Sequence, residues 1–488
     1  MFQSLQILVG VLLFAVPLAT LEEVVVKHPN GEVQVRYSTD EKGRLDGLYE
    51  QFSETGIPMV RAEYSRDLLN GTYETFWPDG TPRTNGNYAK GFQDGAWIEY
   101  AEDGVKTLAA NYRKDQLHGR YESYHANGKR FITTNYKLGV LNGEYIERDA
   151  DGSWVLTGKY ADDQLDGMLE VREGDKRLVQ QKWNAGKLVE IDGVKPFPKT
   201  PSELLGELAA ILDEPADAKY DLSADSLAPQ RAAALRRLQA YRHLCSVPWK
   251  GMELVPEWNE LCDAAAEVCE ANGELDHTPP RPDGFDSARF QQGYRGASNS
   301  NLSMGKDMAG SVDSYMDDSD ASNIDRVGHR RWCLNPPMRK TGFGLSGRFS
   351  AMWSMDQSGS MAKGLDAIIY PPPGWTPVDM FGPRHAWNFG VLRGKTPRME
   401  DVRVSVRRLD ERWIPSAESL DFDHKGIAAG GIGSGTFLLF RPVGVVVEPG
   451  AAYLVELSFD RGATITHRYV SGFCEANGTD LGRDARDD

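Results

Sequence analysis

The stretch LNGTYETFWPDGTPRTNGNYAKGFQDG, residues 69–95, contains one period of the repeat that decides the fold of the first part of the chain. The repeat is marked by glycines that recur every 24 residues: Gly47, Gly71, Gly95, Gly119, Gly143 and Gly167. A fixed period of this length indicates one small structural unit stacked on copies of itself. Such arrays form scaffolds or binding surfaces, so we expect the chemistry, if any, to lie elsewhere in the chain.

Each period carries two turn signals and two aromatic positions. The column glycines follow a turn-type residue or histidine, and a pair such as Asp79-Gly80 comes nine residues later. Asp-Gly and Asn-Gly pairs favour hairpins because primed turns need positive φ. Two turns per period predict two strands per period, in one elongated meander with its aromatic residues stacked along a shared face. The aromatic positions hold Tyr49, Tyr73, Trp97, Tyr121 and Tyr145, and Tyr64, Tyr88, Tyr112, Tyr136 and Tyr160.

The repeat pattern resembles a known family. In the last copy Leu169 replaces the aromatic residue and Glu173-Gly174 comes two residues early, as is common for end repeats that cap a stack. The pattern Leu-Asn-Gly-x-Tyr-x-x-Phe…Asp-Gly resembles the MORN repeat, in the bacterial variant also seen in antitoxin-like proteins, over residues 30–192. The resemblance implies a β-hairpin array, contact with lipid or protein in some members, and no catalytic residue. The alternative is that the aromatic residues only hold the array together.

Length and charge limit the classes of partner. The chain has 488 residues and a formal net charge of -16, and this length suggests about three domains. Binding of nucleic acid needs a basic footprint, so we expect no nucleic-acid partner. The same charge disfavours electrostatic attraction to anionic lipid surfaces.

The first residues contain an apolar run from Leu5 to Ala19. The run is short for a membrane span and fits the core of a signal peptide, although no Lys or Arg precedes it. We expect residues 1–20 to be a signal peptide, with an uncleaved membrane anchor as the alternative. The protein is therefore expected to be exported: extracellular, periplasmic or in the cell envelope.

The cysteines give no simple disulfide framework. They are Cys245, Cys262, Cys269, Cys333 and Cys474. Cys262 and Cys269 are separated by two helical turns, about 10 Å, which is beyond the reach of a disulfide. Because the number is odd, at least one thiol is expected to be free unless it pairs between chains.

Residues 193–228 are interpreted as a linker that carries one helix. The segment TPSE at residues 200–203 is a capping box with proline at the first helical position, and the helix is expected to reach about Leu212. Two further helices are predicted, one from near residue 229 through Tyr241 and one over residues 257–271.

A second resemblance begins after these helices. The chain contains, in order, His277, GASNSNL (296–302), VDSYMDD (312–318), GHRRWCLNP (328–336) and TGFG (341–344). This ordered set resembles the CAP superfamily of cysteine-rich secretory, antigen and pathogenesis-related proteins, especially the bacterial, SCP-like members. The resemblance covers residues 229–375 and implies an α-β-α sandwich, usually secreted.

In that family two histidines and two acidic residues often face one cleft, and some members bind a divalent metal there. Carried over residue by residue, His277 and His329 match the two histidines, Ser300 stands in the first acidic position, and Asp318 falls near the second. Imidazole and carboxylate are good ligands for zinc-type ions. The resemblance thus implies a zinc or calcium site of His277, Asp318 and His329. The alternative is that His277 caps a helix end and His329 braces a packed helix.

Other catalytic motifs are missing from the sequence. No histidine is followed by glutamate, so the H-E-x-x-H zinc motif is excluded, and there is no G-x-S-x-G nucleophile motif. The glycine-rich run at residues 426–435 lacks the Lys-Ser/Thr ending of a phosphate-binding loop. We therefore expect a turn there.

The C-terminal part is interpreted as a β-sandwich over residues 377–478, followed by a disordered tail at 479–488. Apolar residues alternate with polar ones over 402–407 and 453–459, and continuous apolar runs occupy 437–440 and 443–447. Several short strands separated by turn signals are typical of an immunoglobulin- or fibronectin-like outline.

Together these features predict a multidomain chain: an N-terminal all-β hairpin-repeat array, a central α-β-α sandwich and a C-terminal β-sandwich. The function that fits them is an exported, non-enzymatic binding or scaffold protein that recognises a lipid, a glycan or another protein. One alternative is a metal-dependent hydrolase that uses the His277/Asp318/His329 cleft. Another is an antitoxin-like protein-interaction module.

Overall fold

The computed structural model describes residues 21–214, 225–393, 396–461 and 464–476. The chain forms two compact units, of which the first ends at Leu188 and the second begins at Val189. The expectations for residues 1–20 and 479–488 lie outside the described residues. Among the residues that are described, no helix combines the length and the apolar character that a membrane crossing requires.

The first unit is a long antiparallel sheet in which neighbouring strands pair in chain order. Two strands are interrupted, so that residues 130–137 pair with both 140–141 and 143–148, and residues 154–161 with both 164–165 and 167–173. The predicted hairpin-repeat array is therefore present. Its strands are Glu22–Lys27 (β1), Val33–Thr39 (β2), Leu45–Phe52 (β3), Pro58–Ser65 (β4), Leu68–Phe76 (β5), Pro82–Ala89 (β6), Phe92–Tyr100 (β7), Lys106–Arg113 (β8), Gln116–Tyr124 (β9), Arg130–Lys137 (β10), Val140–Leu141 (β11), Gly143–Arg148 (β12), Trp154–Ala161 (β13), Gln164–Leu165 (β14), Gly167–Glu173 (β15), Lys176–Asn184 (β16) and Lys187–Ile191 (β17).

A hairpin turn forms at the Asp-Gly and Asn-Gly pairs, but it is not the primed turn that the sequence suggested, because Asp79 does not have a positive φ. In one copy the N–H of Trp77 donates to the carbonyl of Thr81 at 2.8 Å, and the N–H of Gly80 donates to the carbonyl of Trp77 at 2.8 Å. Gly80 has a φ of 87°, and the glycines of the equivalent turns also have positive φ. The residue type is therefore set by the left-handed backbone at this corner.

The other turn of each period lies earlier than the column glycines that suggested it. Gly71 has a φ of 131° but lies inside β5, opposite Tyr88 of β6. The chain reverses before it, at Arg66-Asp67, where φ is 52° and 68°. A two-residue turn with both residues at positive φ matches the twist of the flanking strands. Arg66-Asp67 contains no glycine, so composition did not mark it as the turn.

A third column of residues, not predicted from the sequence, separates the aromatic residues of the array. It consists of small residues 24 apart: Ala62, Gly86, Ala110, Thr134 and Gly158. Gly86 lies opposite Tyr73 on one side and Trp97 on the other. A Cβ on Gly86 would come within 2.0 Å of the Trp97 ring. The small residue therefore provides the space in which the neighbouring ring lies.

The two aromatic columns meet across the strands of this face. The rings of Tyr73 and Tyr88 have centroids 5.3 Å apart and those of Tyr121 and Tyr136 5.6 Å apart, both edge to face. Such pairs stabilise by about 0.5–1.5 kcal/mol beyond the area they bury. Desolvation raises the pKa of Tyr136. We call this side of the sheet, which holds both aromatic columns and the small-residue column, the aromatic face.

The opposite face of the array is polar. On it Glu50 lies between two arginines, 2.5 Å from the Arg36 guanidinium and 3.2 Å from that of Arg61. The exposed apolar side chains of Leu48 and Met168 also belong to strand positions on this face.

The second unit begins with helices and a small sheet. The capping box predicted at residues 200–203 is present: the N–H of Glu203 donates to the Thr200 hydroxyl, and the N–H of Thr200 donates to the Glu203 carboxylate. The helices are Pro201–Leu212 (α1), Ala228–Leu244 (α2), Pro256–Asn272 (α3), Ser287–Ser298 (α4), Met308–Asp317 (α5) and Gly328–Cys333 (α6). The strands are Glu253–Leu254 (β18), Ser300–Met304 (β19), Lys340–Thr341 (β20), Phe343–Ser346 (β21) and Phe349–Trp353 (β22).

Strands β19, β22 and β21 form one antiparallel sheet in that order. Alternate residues of β22 contribute to different apolar clusters. Ala351 packs in a cluster with Cys262 and Ala265 of α3, whereas Met352 belongs to the cluster that contains residues of α2 and α5. Because successive side chains of a strand point to opposite faces, both faces of this sheet are covered.

The C-terminal strands form two four-stranded sheets, ordered β23-β25-β28-β27 and β24-β30-β29-β26, with β24 parallel to β30. They are Ala367–Tyr370 (β23), Gly374–Pro377 (β24), Trp387–Val391 (β25), Arg403–Leu409 (β26), Phe422–Ala428 (β27), Thr436–Pro442 (β28), Ala452–Ser458 (β29) and His467–Cys474 (β30). Most predicted strands are present, but the apolar run at 443–447 is not a strand. Val443 is exposed at a turn and Gly444 has a φ of 80°. The run is apolar because some of its side chains, such as that of Val445, are buried without pairing in a strand.

One apolar core continues through most of the second unit. It includes Leu208 of α1, Tyr241 of α2, Val312 of α5, Phe437 of β28 and Tyr453 of β29. The division of this unit into a linker, a CAP-like domain and a sandwich stays a prediction, whereas a helical region followed by C-terminal strands is what the structure contains.

Candidate functional site

The structure brings His277 and His329 together. Their ring centroids are 6.2 Å apart and the planes are inclined by 33°. His277 lies between α3 and α4, and its Nδ1 is 2.9 Å from the carbonyl oxygen of Ala297 at the end of α4. The Ser298 hydroxyl donates to the His277 carbonyl at 2.9 Å. The end of α4 therefore fixes His277, while His329 comes from the start of α6.

Asp318 orients His329 from a buried position. The Asp318 side chain is 1% exposed, and its Oδ1 lies 2.8 Å from His329 Nδ1. Its Oδ2 accepts the backbone N–H of His329 at 2.9 Å and that of Arg330 at 3.3 Å. A carboxylate at Nδ1 favours the tautomer that is protonated there, which leaves the lone pair on Nε2 of His329.

Unusual backbone conformations flank the segment that joins α5 to α6. Asp318 ends α5 with a φ of 44°, and Val327 precedes α6 with a φ of 38°. A β-branched residue at positive φ is strained. Val327 is fully buried, and its N–H donates to the carbonyl of Asn323 at 2.7 Å. Packing around Val327 therefore holds the backbone that presents His329.

Arg330 ties the helix of His329 to its surroundings. The guanidinium is fully buried and donates to the carbonyls of Met316 and Ala386, both at 2.6 Å, and to Oδ1 of Asn388 at 3.0 Å. Its carbon lies 4.7 Å from the centre of the Tyr370 ring. Burial lowers the pKa of this guanidinium. Arg330 thereby links α6 to the end of α5 and to β25.

Two further residues support His329 and were not assigned roles from the sequence. Asn301 of β19 donates from Nδ2 to the His329 carbonyl at 3.0 Å. The Tyr315 hydroxyl donates to the Asn301 carbonyl at 3.1 Å, and the Tyr315 ring lies 5.7 Å from the His329 ring. Both residues lie in segments that carry the CAP resemblance, which is the signal that pointed to their neighbourhood.

Ser300, which occupies the first acidic position, contributes no charge to this site. It is 2% exposed, and its hydroxyl lies 3.6 Å from the thiol of Cys262. All five cysteines are free and buried. Burial raises the pKa of the Cys262 thiol to about 12, so this thiol is not a ready nucleophile.

The two histidines are the residues of this site that keep a ring nitrogen open to a metal ion. His277 and His329 each use Nδ1 in the contacts above, which leaves Nε2 as the nitrogen that could bind a metal. Both carboxylate oxygens of Asp318 already contact His329 and the backbone. In the part of the chain that the structure describes, no group of three or more His, Cys, Asp and Glu side chains is arranged to hold a metal. Asp318 therefore suits the position of an outer carboxylate that orients a histidine ligand.

Comparison with known families finds two matches in this chain. The family model described as cysteine-rich secretory protein family (CAP) matches residues 237–350, a range that includes both histidines and Asp318. The model described as MORN repeat variant matches residues 117–138, which include the column glycine Gly119. A search of curated proteins gives no significant match. The chain thus contains a CAP domain preceded by MORN-type repeats.

Proposed function

We propose that the protein is an exported, non-enzymatic binding or scaffold protein that recognises a lipid, glycan or protein partner at the cell envelope or outside the cell. The observation that carries this proposal is the aromatic face of the array. It presents tyrosines such as Tyr73, Tyr121 and Tyr145 at equal spacing along one side of a sheet, each only partly buried. Aromatic side chains with an apolar body and a polar tip suit contact surfaces.

The finer architecture belongs to the same proposal. The three-stranded sheet with α3 and α4 on one face and α2 and α5 on the other would be the α-β-α sandwich of the CAP domain. The two C-terminal sheets would form the β-sandwich. In that arrangement Arg330 and its contacts with β25 would brace the CAP domain.

A retention assay tests the binding function. The full chain is mixed with cell envelopes of the producing organism, and bound protein is measured against concentration. We expect saturable retention that is lost when Tyr73, Tyr121 and Tyr145 are replaced by serine. Treating the envelopes by lipid extraction, glycan digestion or proteolysis then assigns the class of partner.

The matched control changes the opposite face. Leu48→Ser and Met168→Ser alter exposed apolar residues, 43% and 49% exposed, on the polar side of the same sheet. These variants are expected to be retained like the unchanged chain. Equal loss in both sets, or retention unaffected by the tyrosine changes, contradicts the proposal.

A metal-dependent hydrolase is the second candidate, favoured by the 6.2 Å approach of the two histidine rings. His277 and His329 would bind a zinc ion, with Asp318 orienting His329. A bound zinc ion lowers the pKa of water and so supplies a nucleophile. A screen of hydrolase substrates with added zinc tests this candidate. Turnover that His329→Ala abolishes would favour the hydrolase over the binding function.

Export separates these functions from the antitoxin-like module. We propose cleavage near Thr20–Leu21 or anchoring by residues 1–20. Sequencing the N-terminus of protein recovered from the exported fraction and from the cytoplasm tests this. A full-length chain that remains in the cytoplasm would favour the antitoxin-like alternative.

A further inference from the structure

The second unit contains a cavity that lies apart from the histidine site. It has a volume of about 1260 Å³ and is bordered by α1, α2 and the segment at residues 249–256. The CAP match begins at residue 237, so α1 and the first half of α2 precede it. This volume exceeds the roughly 300–1,000 Å³ of ordinary small-molecule pockets.

Apolar residues form much of the wall. Ile211 of α1, Ala232 of α2 and Met252 are 4%, 7% and 6% exposed and border the cavity. Leu235 and Trp249 border it as well. A ligand that fills this space must therefore carry an apolar body.

Two polar side chains on α2 border the cavity and find no hydrogen-bond partner among the described residues. Nε of Arg236 is buried and has no hydrogen-bond partner in the part of the chain that the structure describes. Gln239, one helical turn further on, is 7% exposed, and within the described residues its amide contacts no donor or acceptor. Buried polar groups are nearly always hydrogen-bonded, so each exception calls for an explanation. A ligand that accepts hydrogen bonds would satisfy both groups.

Four carboxylates of the described chain border the cavity, and two of them, Glu207 and Glu253, are in ion pairs. Glu207 is held by Lys199 and by His243, whose Nε2 lies 2.9 Å from it. Glu253 lies 3.5 Å from Lys340. Asp213 and Glu214, at the C-terminal end of α1, also border the cavity. Arg236 has no ion pair among the described residues, so its buried Nε–H is a cationic donor whose hydrogen bond a ligand carboxylate could accept.

We infer that this cavity binds an organic monocarboxylate with an apolar body, its carboxylate on Arg236 and Gln239 and its body against Ile211, Leu235 and Met252. A guanidinium binds a carboxylate through two parallel hydrogen bonds, which sets the orientation of the ligand. The inference uses neither the aromatic face nor the histidine site and so stands apart from the proposed function.

Three probes with the same body and different ends test the charge preference: phenylhexanoate, phenylhexanol and phenylhexylamine. Each is titrated into the full chain and followed by ligand-observed NMR. We expect the affinity for the acid to be at least about tenfold higher than that for the alcohol. The amine should bind most weakly. Equal binding of all three, or tightest binding of the amine, overturns the inference.

Variants locate the site. Arg236→Gln is expected to lower the affinity for the acid about tenfold and to leave the affinity for the alcohol unchanged. Arg384→Gln, the same change at an exposed arginine outside the cavity, is expected to change neither. Ala210→Trp places a large ring in the cavity and should abolish binding of both probes. Unchanged acid binding in Arg236→Gln and Ala210→Trp would contradict the assignment.

If Arg236→Gln lowers stability, Arg236→Lys replaces it. Lysine keeps the charge but lacks the planar fork of the guanidinium. We expect it to keep a weakened preference for the acid over the alcohol. A preference for the acid as strong as that of the unchanged chain would overturn the role of the Arg236 fork.

Discussion

The repeat array and the second unit are stabilised in different ways. In the array each strand pairs with its sequence neighbour, and the same contact recurs every 24 residues. In the second unit, buried arginines join distant segments: Arg242 donates to the carbonyls of Pro248, Cys333 and Asn335. The comparison shows that a repeat distributes its stability over equivalent local contacts, whereas the second unit depends on a few residues with many partners.

The largest expected effect is at such a residue. Arg330→Met removes the donor for the carbonyls of Met316 and Ala386 and for Asn388. Because these acceptors stay buried, we expect a loss of about 3 to 5 kcal/mol in the free energy of unfolding of the second unit. Hydrogen exchange of peptides from residues 301–334 and 386–391 measures it.

Arg326→Met is the control for this change. Arg326 is exposed and close in sequence to Arg330, and its replacement is expected to alter the free energy of unfolding by less than about 0.5 kcal/mol. Similar losses in the free energy of unfolding for both variants would mean that the buried hydrogen bonds of Arg330 do not stabilise the second unit more than an exposed arginine does.

Next in size is a test of the small-residue column. Gly86→Ala puts a methyl group within 2.0 Å of the Trp97 ring, and overpacking of this kind costs about 1–3 kcal/mol. Gly158→Ala, at the equivalent position of another copy, meets nothing closer than 3.5 Å. It is expected to be neutral or to stabilise by about 0.4–1 kcal/mol. Hydrogen exchange of the strands on either side separates the two results; equal effects would refute the packing role of the column.

The pH dependence of stability should have a contribution from one buried histidine. Desolvation lowers the pKa of His385 to about 4, with Asp317 opposing that shift. The unfolded state, with a pKa near 6.5, binds the proton first as the pH falls. The contribution of neutral His385 to the free energy of unfolding is therefore fully present above about pH 6.5. This contribution, up to about 3 kcal/mol, is lost as the pH falls toward 4. In His385→Phe, the midpoint of denaturant unfolding should change less with pH between pH 4 and 7 than in the unchanged chain. The same change with pH in both proteins would contradict this.

The smallest expected effect is a single aromatic pair of the array. A double-mutant cycle with Tyr121→Leu and Tyr136→Leu should give a coupling of about 0.5–1.5 kcal/mol, because the two rings meet edge to face at 5.6 Å. Guanidinium titrations of the four proteins measure it. Zero coupling would mean that these rings contribute only through the area that they bury.

Much of the array could be predicted from the sequence because its signals are local and repeated. Gly80 marks a turn by its own backbone requirement, and Tyr88 marks a strand face by its spacing. The turn at Arg66-Asp67 was missed because neither residue demands positive φ. The run at 443–447 was misread because apolar residues next to a turn can be buried without pairing.

The site could be predicted less well. The resemblance named His277, Asp318 and His329, and the structure brings them together. Both carboxylate oxygens of Asp318 contact His329 or backbone amides because α5 ends in a left-handed conformation. The spacing of residues in the sequence does not reveal this conformation. Likewise, the Nε of Arg236, which has no partner among the described residues, borders a cavity that exists only because α1 packs beside α2.

The most direct test of the central claim is the envelope retention of four proteins: the unchanged chain, the Tyr73/Tyr121/Tyr145→Ser variant, the Leu48/Met168→Ser control and His329→Ala. Binding through the aromatic face predicts saturable retention for all except the tyrosine variant, and no zinc-dependent hydrolysis by any of them. Retention that survives the tyrosine changes, together with a hydrolytic activity that His329→Ala abolishes, would contradict the account.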